Sequence, residues 1–229
     1  LAEVVWKDDW LWLKDGGMVP PATVDLPVER VVPGVVEHDF SGPDLPMEFQ
    51  WLRTPRPGRI FALTGSALRL TGRESLGSWF EQALVARRQD EPAYAADCDI
   101  LADPPNWQRA AGLVTYYNRH KFHAALVTRE AGERVVALVS CLGDWPGEAL
   151  TFHGRFPVPE GRVTLGVTVD RAAQRFSVNG VAVGPELDAS VVSDEGGRGE
   201  HASFTGAFVG VVAHDLTGQG WTADVTRFR

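Results

Sequence analysis

Few side chains in this 229-residue chain stand in patterns that could do chemistry. Asp8-Asp9 and Asp194-Glu195 each set two carboxylates side by side, the raw material of a general acid and base. Neighbours on a strand point to opposite faces, however, and both pairs lie in turn-like surroundings, so neither reads as a catalytic dyad. Ser75 in GRESLGS lacks the glycine two residues earlier that a nucleophile elbow demands, and its surroundings predict a β-turn. His120 and His123 would align on a helix but fall on opposite faces of a strand, and no Cys or Glu completes a ligand set. Cys98 and Cys141 are the only cysteines and read as buried free thiols rather than a bridge. No catalytic residue and no transition-metal site is assigned.

The elements that would position any site are strands. In LRLTGRESLGSWFEQALVARRQ (Leu68 to Gln89), Leu68 and Leu70 alternate with Arg69 and Thr71 and predict a half-buried strand. A second run from Trp79, apolar at both alternating sets, predicts an antiparallel partner covered on both faces and lying centrally. In MEFQWLR, Met47, Phe49 and Trp51 share a face, with Pro43, Pro46, Pro55 and Pro57 as brackets. YAADCDIL reads as a strand, GLVTYYN and KFHAALVT as a hairpin about Arg119-His120, and ERVVALVSC as its continuation, with Val135, Ala137, Val139 and Cys141 facing one way. VTLGVTVD points Val163, Leu165, Val167 and Val169 inward, and Asn179-Gly180 marks a tight turn. PELDASVVSDEGGRGEHAS reads as a long polar excursion. It leads to FTGAFVGVVAHD, where Phe204, Gly206, Phe208 and Gly210 are expected on one face, and TADVTRF closes the chain.

Twenty-four Gly, fifteen Pro and regularly spaced turn signals therefore predict an all-β fold, a two-sheet antiparallel β-sandwich. A net charge of −8 argues against a nucleic-acid surface. No run approaches the roughly 20 apolar residues of a membrane span, and no signal pattern opens the chain. The chain begins with Leu1, so the native start is expected upstream. The absence of an N-x-Ser/Thr sequon leans toward a cytoplasmic over a secreted location.

GRESLGSWFEQALVARRQ resembles a signature of the C-terminal sandwich module of glycoside hydrolase family 43 β-xylosidases. FQWLRTP (Phe49 to Pro55), AGLVTYYNRHKF (Ala111 to Phe122) and FTGAFVGVVAHDLTG (Phe204 to Gly218) fit the same module in the same order. The resemblance implies a concanavalin A-like jelly roll that accompanies a catalytic five-bladed β-propeller, acts with it on xylan-derived xylo-oligosaccharides, and has the option of forming a homo-oligomer. It implies that the two carboxylates of an inverting mechanism, about 6.5 to 9.5 Å apart, belong to the propeller. It also implies that a sandwich loop adds an aromatic wall to the substrate pocket, with Phe204 as the candidate and Phe208 second. The alternative for both is a place in the core, favoured for Phe208. No cofactor is implied, although calcium held by Asp and main-chain oxygens stays open.

Three segments follow from this reading. Residues 1–22, with Trp6, Trp10 and Trp12, read as a remnant of the propeller's closing strands, or else as an aromatic hairpin packed on this same domain. Residues 23–35 read as a linker and residues 36–229 as the sandwich. Two functions compete: an accessory domain without activity of its own, and a free-standing carbohydrate-binding, lectin-like module.

Overall fold

The computed structural model describes residues 2–14, 16, 34–143, 149–194, 196 and 205–229. They fall into two units, Leu1–Val36 and Glu37–Arg229. The expected linker lies outside the described residues apart from its last two.

In the first unit, strands β1 (Val4–Lys7) and β2 (Trp10–Leu13) pair as an antiparallel hairpin. Asp8 and Asp9 form its turn at φ of 55° and 56°, a left-handed conformation that short polar side chains tolerate. The register puts Val5, Trp10 and Trp12 on one face and Val4, Trp6 and Leu11 on the other, and all six are exposed.

The second unit begins with β3 (Phe49–Trp51), β4 (Phe61–Leu63), β5 (Leu68–Thr71), β6 (Ala83–Arg88) and β7 (Ala93–Leu101). The long meander β8 (Arg109–Asn118), β9 (Lys121–Glu130), β10 (Glu133–Leu142) and β11 (Leu150–Pro157) follows. Strands β12 (Arg162–Asp170), β13 (Ala173–Val178), β14 (Val181–Asp188), β15 (Phe208–Asp215) and β16 (Thr222–Phe228) complete it. They form two seven-stranded sheets: a front sheet in the order β11-β10-β9-β8-β15-β6-β3 and a back sheet in the order β14-β13-β12-β7-β16-β5-β4. The pairings within both are antiparallel. Alternate side chains of the facing sheets, Leu113, Leu138 and Val211 from the front and Ile100, Leu165 and Phe176 from the back, fill one core. The sequence expectation of a two-sheet antiparallel sandwich is met.

The two sheets treat their outer faces differently. On the back sheet Asp97, Asp99, Arg227 and Arg229 form a charged ladder, with Arg227–Asp99 at 3.1 Å and Arg229–Asp97 at 2.7 Å, which keeps that face in water. The front sheet is apolar on both faces. In β10, Val136 and Leu138 enter the core between the sheets, while Ala137, Val139 and Cys141 join a second apolar cluster on the outer side with Leu84, Val114 and Leu126. Cys98 lies in the first cluster and Cys141 in the second, so the front sheet stands between the two buried cysteines, which form no disulfide.

Several local expectations give way. Strands β5 and β6 do not pair; β5 belongs to the back sheet and β6 to the front, one strand in from its edge. Strand β6 begins at Ala83, and Trp79 and Phe80 stand 54% and 75% exposed in the preceding loop. That loop satisfies its own backbone: the Gln82 amide donates to Leu76 O at 2.8 Å and Ser78 O at 2.9 Å, and Glu74 N donates to Glu81 O. Met47 precedes β3 and is exposed. The polar excursion begins only after Asp188, since Pro185–Asp188 lies in edge strand β14. Gly206, at φ +75°, is outside β15, so it does not share a face with Phe208 and Gly210.

Candidate functional site

A sheet that is apolar on its outer side must be covered there. The β5–β6 loop, the GRESLGSWF segment, supplies the cover: Leu76 is 4% exposed and packs into the outer cluster. Depressions remain on the outer face. One of about 270 Å³ includes Leu76, His120, Phe122 and Cys141. Here the Arg119 guanidinium lies 3.7 Å from the Trp79 ring centroid and donates to Gly77 O at 2.8 Å, while His120 meets the same ring edge-on. A larger cleft of about 500 Å³ includes Trp51, Arg53, Arg88, Tyr116, Tyr117 and Phe208.

The strands dictate which side chains line the larger cleft. Arg88, Phe208, Tyr116 and Phe122 occupy one cross-strand row over β6, β15, β8 and β9. Arg88 stacks its guanidinium 4.8 Å from the Phe208 ring centroid. Tyr116 and Phe122 are stacked at 6.3 Å. Tyr116 is 3% exposed, and burial, opposed in part by Gln82, pushes its pKa up to about 12. Arg53, at φ +61°, donates to Ser78 O and Trp79 O, tying the end of β3 to the covering loop. The described lining includes two arginines and no carboxylate. It is a surface of aromatic faces and fixed donors, suited to holding a neutral or acidic ligand.

Phe208 is half-buried and sits on this cleft, while Phe204 lies outside the described residues. Asp8 and Asp9 occupy the hairpin turn. Asp194 accepts hydrogen bonds from the Tyr117 hydroxyl and from Gly206 N, and Glu195 lies outside the described residues. Ser75 caps its own turn, its carbonyl accepting from Ser78 N at 3.0 Å. The two histidines part as expected: His123 is fully buried between Ser140 Oγ at 2.6 Å and Asp188 O at 3.0 Å, and burial lowers its pKa to about 4. Among the described residues no group of three or more His, Cys, Asp or Glu is placed to hold a metal ion. Sequence reasoning gave no role to Arg88 or Tyr117, which it met only as motif letters, or to Asp194, which it met only as half of a carboxylate pair. Their partners lie far off in the chain, so no local signal marks them.

Residues 37–229 match the model of the β-xylosidase C-terminal concanavalin A-like domain. The chain belongs to that family. Xylosidase/arabinosidase 43B of Humicola insolens is 42% identical over 237 residues, which cover 95% of the chain and 43% of that protein. A β-xylosidase of Bacillus subtilis is 34% identical over 243 residues, covering all of the chain and 45% of that protein. The solved xylan β-1,4-xylosidase of Bacillus halodurans superimposes with a TM-score of 0.85 at 30% identity, over 99% of this chain and 45% of that one. The chain thus spans less than half the length of the relatives it matches. The family assignment agrees with the jelly-roll expectation and makes the sandwich a C-terminal module.

Proposed function

We propose that this chain is the accessory C-terminal domain of a family 43 glycosidase of the β-xylosidase or α-L-arabinofuranosidase type, acting on xylan-derived oligosaccharides. It packs on a catalytic propeller of the same protein and lines the mouth of the propeller's active site, with Phe204 and Phe208 contributing aromatic wall. The observation that carries the reading is the match of nearly the whole chain to 43–45% of proteins named xylosidase or xylosidase/arabinosidase. Two features support it. The cleft of about 500 Å³ has aromatic and arginine lining with no acid among the described residues, and the acids of the neighbouring depression, Asp90, Glu91 and Asp194, lie on loops, where Asp194 is bonded to the Tyr117 hydroxyl. The six apolar residues exposed on both faces of the β1–β2 hairpin suit strands that are covered on both sides by the rest of such a propeller.

The test compares this chain alone with the protein joined to its upstream catalytic domain. Nitrophenyl xyloside hydrolysis is expected only from the joined form, and titration calorimetry of the chain with xylo-oligosaccharides is expected to be silent. Turnover by the chain alone at an enzyme's pace would overturn the reading. Micromolar binding of xylo-oligosaccharides to the isolated chain would favour the lectin-like module instead.

A further inference from the structure

We infer that Tyr117 is a positioning residue for the saccharide-facing rim of the larger cleft, holding the two residues through which the chain enters β15. The inference rests on the function just proposed and names the part that keeps the wall in place.

Tyr117 is at the end of β8 and is 5% exposed. Its hydroxyl is used in both directions: it donates to Asp194 Oδ1 and accepts from Thr205 N at 3.0 Å. The same Asp194 oxygen accepts from Gly206 N at 3.3 Å, and Arg88 donates to Thr205 O. Three separate parts of the chain therefore converge on two consecutive peptide units. Asp194 is itself held, because it follows a short 3₁₀ turn (Ala189–Val192) that buries Ala189 and Val192 and is capped by Asp188 accepting from Ser190 N at 2.9 Å. The φ of +75° at Gly206 suits glycine, and a Cβ there would push the end of the Arg88 side chain, now 2.6 Å away at Nη1, off its place.

This clamp is not needed to register β15, which already pairs through eight residues with β8 and six with β6. Its effect is confined to Thr205 and Gly206. Thr205 lines the large cleft and Gly206 a polar depression of about 480 Å³, so the clamped pair forms the partition between the two. Thr205 is also the immediate neighbour of Phe204 in the chain. Fixed backbone at Thr205 and Gly206 sets the rim of the cleft that Phe208 also lines, and on the proposed function a small misplacement of that rim is expensive in turnover.

The experiment uses the full-length protein with its catalytic domain, and measures kcat, KM and melting temperature for Tyr117→Phe, Arg88→Met, Phe204→Ala and the double variant Tyr117→Phe/Phe204→Ala. Tyr117→Phe is expected to lower kcat/KM for xylo-oligosaccharides about tenfold, the order expected of a wall shifted by a fraction of an ångström. In the Phe204→Ala background the same change is expected to add less than about twofold, since both act through one wall. Arg88→Met, changed from the exposed side, gives the same pattern if Tyr117→Phe does not fold. A Tyr117→Phe or Arg88→Met protein with unchanged kcat/KM per folded molecule, beside a Phe204→Ala protein that is impaired, overturns the positioning role and leaves the proposed function standing. Unchanged kinetics in Phe204→Ala overturns both.

Discussion

Replacing Asp215 with Asn isolates the interaction that locks β15 in place. Asp215 ends β15 and is 3% exposed. It accepts from Thr217 Oγ1 at 2.6 Å, Thr217 N at 3.0 Å and Trp221 N at 2.9 Å, and faces Arg109 Nε at 3.2 Å. Its own N–H donates to Arg73 O at 2.7 Å, which fixes the start of the loop that covers the front sheet. Burial alone would raise the carboxyl's pKa; the bonds from Thr217 and Trp221 and the Arg109 charge outweigh it and bring the value from 3.8 to about 2. Because the folded value is the lower one, the carboxylate's contribution is complete above pH 4 and fades as pH falls toward 2. The difference amounts to about 2 kcal/mol. In Asp215→Asn an amide N–H₂ meets at least one donor, and Arg109, 9% exposed, loses its counter-charge. Breaking a buried pair from one side costs about 3 kcal/mol, which for a domain of this size lowers the melting temperature by roughly 6–12 °C at pH 7. The variant should also lose the part of the acid slope between pH 4 and 2 that Asp215 provides. Thermal unfolding followed by near-ultraviolet circular dichroism reads both quantities. A variant that melts within about 2 °C of the parent, with an unaltered acid limb, would refute the assignment, because no buried charge pair of this geometry is that cheap to break.

Two further outcomes follow from the same packing. A Cβ at Gly210 would lie 2.3 Å from Val85 O and 2.4 Å from Ala86 Cα, so Gly210→Ala is expected to separate β15 from β6 and yield little soluble protein, while Ala86→Gly should remain soluble; expression and gel filtration compare them. His123 is fully buried and neutral, with a folded pKa of about 4 against 6.5 unfolded, so its own contribution to stability should fall by about 2 kcal/mol between pH 7 and pH 5, beside a like loss from His214, which burial also brings to about 4. The difference in urea midpoints between the parent and a His123→Gln variant at the two pH values measures the His123 share, and an NMR titration that puts His123 above pH 6 would contradict the burial argument.

Much of this architecture was legible from alternation. Val163 to Val169 state which side faces the core, because a period of two leaves a strand little choice of register, while the Asn179-Gly180 turn marks a hairpin and the doubly apolar run of β6 marks a strand covered on both faces. Where the reading failed, the deciding interactions were not in the pattern. Trp79 and Phe80 continue the apolar run of β6, yet the Gln82 amide captures two loop carbonyls and holds them out of the sheet. A polar stretch such as Arg73–Gly77 marks that the chain turns, but not whether it returns in the same sheet or crosses to the other. The cleft was even less visible, since Tyr117 finds partners 77 and 88 residues away and Arg88 one 117 residues away.

The front sheet's two apolar faces also bear on what kind of surface this domain offers. A sugar-binding platform on a sheet requires aromatic rings that are flat, adjacent and wet. Here the aromatics in the middle of the outer face, Tyr116 and Phe122, are 3% and 2% exposed, and Leu76 of the covering loop packs in the same cluster. The exposed rings on this side lie instead at the margins, Phe152 on edge strand β11 and Trp79 and Phe80 on the loop, while Trp51 on the other edge strand turns to the core side against Phe61 of the back sheet. Arg119 stacked on Trp79, and Arg53 bonded to the Ser78 and Trp79 carbonyls, hold the loop margin rigid at the cost of ordering two long side chains. Such ordering is worthwhile for a surface that must meet a shaped neighbour, and adds nothing to a face left in water. The sheet is thus sealed at its centre and stiffened along one side, and among the described residues the middle of its outer face offers no flat, wet aromatic platform for a glycan.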